Sequence, residues 1–157
     1  MTSAAGQAGQ ATGSQQTITA LQNALAAEQA ASYGYGVVGA RLPQGSAAQG
    51  TAGADWVTHM RARDELTAMI SARGGQPAPS AVAYQLPGPV KTAAEATALA
   101  ALLEDRVAQA YLEIVALPES GLRNFGARQV RAAAVRAAAW RGSTQAFPGL
   151  PASSLRS

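Results

Sequence analysis

The sequence predicts an all-α protein built as a four-helix bundle, with a long proline-rich connection between the second and third helices. Three observations predict it. Apolar residues recur at helical spacing in four separate stretches. Strong breakers separate those stretches: Pro43, then Gly74-Gly75 with the prolines after it, then Pro118. Hydrophobic residues make up 48% of the chain but aromatics only 5%, and much of the apolar count is alanine, a strong helix former of little volume. Such helices pack closely around a slim core, and 157 residues suit one domain of this kind.

Residues 1–16 are small, polar and without pattern, and are expected to form a disordered tail ahead of a helical domain over 17–142. The first helix is expected over about 18–42. Ile18, Leu21, Leu25, Ser32, Tyr35, Gly39 and Leu42 fall in one arc when successive residues turn by about 100°. Thr19 followed by Gln22 has the form of a capping box. Glu28 lies inside the apolar arc, where a carboxylate must be protonated, metal-bound or paired with a cation. Gly36 and Gly39 are expected to let a neighbouring backbone come close.

The second helix is expected over 46–73, with Ser46 and Gln49 as its capping pair and Gly74-Gly75 as its end. Its inner arc would hold Trp56, His59, Met60, Arg63, Leu66, Thr67 and Ile70, so the single histidine and an arginine share the apolar face. Residues 74–91 contain four prolines and favour an extended path. Extended, they reach about 55 Å, more than the roughly 38 Å length of a bundle with 25-residue helices. The segment can therefore join two helices that point the same way, with the alternating Val82, Tyr84 and Leu86 laid along a groove.

The third helix is expected over 93–117, capped by Thr92 with Glu95. Leu99, Leu103, Val107, Tyr111 and Ile114 mark its inner arc, and Glu104 and Arg106 its borders. The fourth is expected over 120–141, with Ser120 as cap and Gly142 as stop. Its inner arc would hold Leu122, Phe125, Gln129, Ala132, Arg136, Ala139 and Trp140. Residues 143–157 read as a loop-like tail in which Phe147 and Leu150 can dock on the bundle.

Composition narrows the function classes. The net charge of +3 comes from arginines spread along the chain without interleaved aromatics, which argues against a nucleic-acid surface. The absence of cysteine excludes disulfides and thiolate metal sites. No apolar run approaches the roughly 18 residues of a membrane span, and no signal peptide is visible, so a cytoplasmic protein without a membrane partner is expected.

Two short helix connections with one long crossover is the wiring of ferritin-like bundles. The stretches AAEQAASYGYGVVGARL, HMRARDELTAMI with ARGGQPAP, YQLPGPV, LEDRVAQAYLEIV, and VRAAAVRAAAWRG with FPGLP carry a further likeness. Through them the chain resembles, over residues 18–151, a bacterial ferritin-like family catalogued as a domain of unknown function. The resemblance implies the ferritin-like fold. A histidine often follows the first-helix glutamate in that family; here Gln29 stands there.

A ferritin-like di-iron centre needs a Glu from each of two helices and a Glu-x-x-His from each of the others. Glu28, His59 and Glu104 are present, but Trp56 stands three residues before His59, and the fourth helix offers Gln129 and Ala132. Arg63 and Arg136 also point inward on this reading, and they repel a second cation. The expected site is therefore an interior polar cluster of Glu28, Tyr35, His59, Arg63, Glu104, Gln129 and Arg136, with no metal or other cofactor. In it Glu28 pairs with Arg63 or Arg136. Were iron bound, Glu28, His59 and Glu104 are the candidate ligands. A small anionic or polar ligand on Arg63, Arg136 and Tyr35 is a further reading.

No catalytic residue is assigned. Tyr33, Tyr35 and Tyr111 are expected to pack with their hydroxyls at the bundle edge, and Trp56 and Trp140 to serve core or interface. The leading expectation is a non-enzymatic binding or assembly module, paired as a homodimer because alanine-rich helices leave little core. The alternative is a ferritin-like metalloprotein acting on iron or dioxygen. A third reading takes Ser154-Leu155-Arg156, which resembles part of the short tags that load ferritin-like cargo into a nanocompartment shell.

Overall fold

The computed structural model describes residues 4–144. Among them are four helices and no strand: α1 (Ala4–Arg41), α2 (Ala47–Ala72), α3 (Ala93–Val115) and α4 (Ser120–Arg141). Phe147, Leu150 and the Ser154-Leu155-Arg156 stretch lie outside the described residues.

Side-chain pairings set the directions. Tyr35 meets Asp55 while Glu28 meets His59, so α1 and α2 are antiparallel. Asn23 meets Glu113 and Tyr35 meets Glu104, so α1 and α3 are antiparallel as well. It follows that α2 and α3 point the same way. Gly126 lies against Ile114 and Val115 while Arg136 meets Glu104, so α4 is antiparallel to α3. Close packing runs α2–α1–α3–α4, and the α2–α4 side is the loosest of the four.

The ends follow local chemistry. Ser46 caps α2 by accepting from the Gln49 N–H, and Thr92 makes a full capping box with Glu95. Gly142 closes α4 with φ of 77°, a left-handed conformation that glycine adopts without strain. Two expected starts are corrected. The α1 helix begins at Ala4, not near Ile18, because the alanines and glutamines ahead of Thr17 are good helix formers with no proline among them. Thr19 therefore caps nothing; its hydroxyl donates to the Gln15 carbonyl one turn back. Ser120 is the first residue of α4, not its cap; Glu119 holds the cap position without a side-chain hydrogen bond.

Close helix approach falls at Gly34, not at Gly36 or Gly39. A Cβ at Gly34 would lie 2.5 Å from Leu103 Cδ1, whereas nothing lies within 4 Å at the other two. The inner face of α2 also differs from expectation. Its buried residues are Ala52, Asp55, His59, Ala62, Leu66 and Ile70, and Trp56 stands 40% exposed on the flank. Apolar side chains pack in two clusters. One gathers Leu21, Leu25, Leu66, Ile70, Ile114 and Phe125; the other gathers Val38, Leu42, Leu99, Leu103 and Trp140. A layer of buried polar side chains lies between them.

Residues 73–92 carry no helix and join α2 to α3 along the outside of α1. Gln22 holds this segment at Gln76 and Ala78, and Gln29 holds it at Ala78 and Tyr84. Tyr84 and Leu86 are partly buried, but Val82 is fully exposed and lies in no groove.

Candidate functional site

Each helix sends two side chains to the middle of the bundle, spaced four or seven residues apart so that both lie on one face. From α1 come Glu28 and Tyr35, from α2 Asp55 and His59, from α3 Glu104 and Tyr111, and from α4 Arg136 and Trp140. Glu28, His59 and Glu104 are all but sealed from solvent.

His59 sits at the centre. Its Nδ1 lies 2.6 Å from Glu28 Oε2, and its Nε2 lies 2.9 Å from Glu104 Oε1. An imidazole facing a carboxylate at both nitrogens donates from both, which is the cationic form. Burial works against that charge, but the hydrogen bonds to Glu104 and Glu28 outweigh it and push the His59 pKa up to about 9. The Tyr35 ring stacks on the imidazole with centroids 5.0 Å apart.

The carboxylates are held by further donors. Tyr111 donates its hydroxyl to Glu28 Oε1 at 2.8 Å. Glu104 Oε1 accepts from Tyr35 at 2.7 Å and from Arg136 Nε at 2.9 Å, besides His59. Burial would raise the Glu104 pKa; the bonds from His59 and Arg136 reverse this and hold it below the usual carboxylate value. Burial also opposes the charge on Arg136, but its bond to Glu104 raises its pKa further. Both phenols stay protonated, pushed up first by burial and then by the carboxylates they touch. Asp55 completes the layer, with its Oδ2 accepting from Trp140 Nε1 at 2.9 Å and lying 3.4 Å from the Tyr35 hydroxyl.

The structure brings together Glu28, Tyr35, His59, Glu104 and Arg136, as their place on the apolar arcs implies. It corrects the pairing among them. Glu28 is held by His59 and Tyr111, not by an arginine. Arg63 lies outside the cluster, with its guanidinium on Asp64 at 2.7–2.8 Å and its side chain 32% exposed. Gln129 is half-buried and makes no hydrogen bond to the cluster among the described residues. The Tyr35 and Tyr111 hydroxyls point into the centre, not to the bundle edge. Asp55 is a member that the arcs did not reveal. Its signal was its spacing, four residues before His59 and so on the same face.

The donor set does not fit a pair of iron ions. One imidazole is present, both its nitrogens are committed, and a guanidinium already shares Glu104, whose Oε2 alone is left without a partner among the described residues. Among the described residues no three His, Asp or Glu side chains are grouped to hold a metal ion. Nor does His59 offer a free edge for proton transfer to a bound molecule. No helix is long and apolar enough to cross a membrane, among the described residues.

The crystal structure of a conserved hypothetical protein, rv2844, from Mycobacterium tuberculosis is similar to this chain. The two are 34% identical with a TM-score of 0.77, over 82% of this chain and 96% of that one. No curated protein matches. The profile of the family described as Domain of unknown function (DUF4439) matches residues 20–152, and the chain belongs to that family.

Proposed function

We propose that the chain is a non-enzymatic binding or assembly module on a ferritin-like bundle, with residues 73–92 as its proline-rich crossover. In this reading an imidazolium and a guanidinium supply the positive charge that a di-iron centre supplies elsewhere in that architecture. The observation that carries it is the clamp on His59, whose ring joins Glu28 to Glu104 through both nitrogens. Removing that ring would leave two carboxylates facing each other in a dry interior, a costly arrangement.

Iron loading tests the reading. The full chain, incubated with ferrous iron and desalted, is expected to retain far less than one iron per chain and to take up no oxygen. Retention of about two irons per chain with oxygen consumption, the stoichiometry of a complete ferritin-like centre, would overturn it.

Pairing with a second copy belongs to the same proposal. A groove of about 670 Å3 runs along the outer seam of α3 and α4, lined by Leu112, Val115, Val130 and Val135. Val135 is 63% exposed there, and a second copy would bury it.

A further inference from the structure

On the loose side of the bundle, a cleft of about 380 Å3 is lined by Thr51 and Asp55 of α2, Thr97 of α3, and Arg136 and Trp140 of α4. That volume is near the lower end of the roughly 300–1,000 Å3 typical of small-molecule sites.

Two opposite charges line this cleft with a side to spare. Arg136 spends its Nε on Glu104, and no described acceptor takes its other guanidinium N–H groups. Asp55 spends Oδ2 on Trp140 and Tyr35, and no described donor reaches Oδ1. The two are close enough for Asp55 to strengthen the hold of Arg136 on its proton. Yet they form no ion pair within 4.0 Å among the described residues. A gap between a spare carboxylate oxygen and a spare guanidinium edge is shaped for a molecule carrying both complements.

Charge in the layer points the same way. Three carboxylates, Glu28, Asp55 and Glu104, face two cationic side chains, His59 and Arg136. His59 and Arg136 contact Glu28 and Glu104, so Asp55 is the carboxylate left without a cation. The Thr51 and Thr97 hydroxyls already donate to the Ala47 and Ala93 carbonyls, which leaves their oxygens as acceptors at the cleft wall. That lining suits an ammonium group.

We propose that the cleft between α2 and α4 binds a small zwitterion of the α-amino-acid type, its ammonium group on Asp55 and its carboxylate on Arg136. This rests on the reading of the chain as a binding module and supplies that module's ligand class. The face of the ligand away from both charges meets the Trp140 ring and two alanines, which favours a small side chain.

Calorimetric titration of the full chain with glycine, L-alanine and L-serine tests it, beside propionate and propylamine, which each carry one half of the recognition. At least one zwitterion is expected to bind saturably, and both half-ligands about tenfold or more weaker, the loss expected for one charge-assisted contact. Amide and indole resonances of Thr51, Thr97 and Trp140 should move with the same saturation. Asp55→Asn should weaken binding about tenfold or more; should that variant not fold, the half-ligands and the resonance map decide. No saturable binding by any of the three zwitterions overturns the proposal, as do half-ligands that bind equally well or shifts that map elsewhere. Iron loading separates the two failures. A chain that refuses both iron and zwitterions keeps the module and loses the ligand, whereas a chain that takes up two irons loses the module.

Discussion

An imidazole that donates from both ring nitrogens in the folded chain gains affinity for its proton on folding. For His59 the pKa rises from the ordinary 6.5 to about 9. A raised folded value fixes the sign: the stabilisation is complete below pH 6.5 and drains away as pH climbs through 9. Unfolding free energy from urea titrations should therefore fall by something on the order of 3 kcal/mol between about pH 6 and about pH 10. His59→Gln, which keeps hydrogen bonding but not the charge, should flatten that slope and be less stable at the lower pH. At this scale most of the centre was legible, because Glu28, Tyr35, His59 and Glu104 sit on or at the edge of apolar arcs, where an ionisable group needs a partner. Arg63 and Asp55 were not. Trp56 and Met60 are large apolar groups flanking His59, and they drew the inferred face about one residue away from the true one. A long arginine stem beside Asp64 then found its charge partner at the surface.

Helix ends and helix contacts carry their own tests. Thr92 accepts from the Glu95 N–H while Glu95 reaches back to the Thr92 N–H, so Thr92→Ala should cost about 1 kcal/mol in urea unfolding. Ser120→Ala should be close to neutral in the same measurement, because Ser120 is already inside its helix. The glycines of α1 divide in the same manner. Gly36 is exposed with open space around its Cβ position, so Gly36→Ala should raise stability by up to about 1 kcal/mol. Gly34→Ala should lower it by about 1–3 kcal/mol, since the new methyl meets Leu103. Which glycine of YGYG faces a neighbour was not legible, as the residues lie within a turn of one another and only the α3 side chain opposite decides. The breakers, by contrast, were read from local chemistry alone: Thr92 with Glu95, Ser46 with Gln49, and Gly142 need no tertiary partner to mark an end. The early start of α1 escaped because alanine and glutamine suit a helix without any apolar pattern to announce it.

For the molecule as a whole, the outer α3–α4 groove bears on assembly. Val135 is too exposed to matter to the fold of one chain, so Val135→Asp should keep the helix content and lower the melting temperature only by what pairing contributes, a difference that grows with protein concentration. Light scattering should nonetheless show a dimer for the natural chain and a monomer for this variant, through a charge placed in the paired surface. The wiring has a separate consequence. Residues 73–92 hold no helix, and the fully exposed Val82 lies within them, so a backbone break there would leave α1–α2 and α3–α4 each whole. What then draws the two fragments into alignment is electrical. Glu28 and His59 arrive on one hairpin, Glu104 and Arg136 on the other. A slip of one helical turn, about 5.4 Å, would strand a carboxylate opposite alanine. The polar layer thus acts as a notch that lets two otherwise smooth, alanine-rich hairpins mesh in a single axial setting.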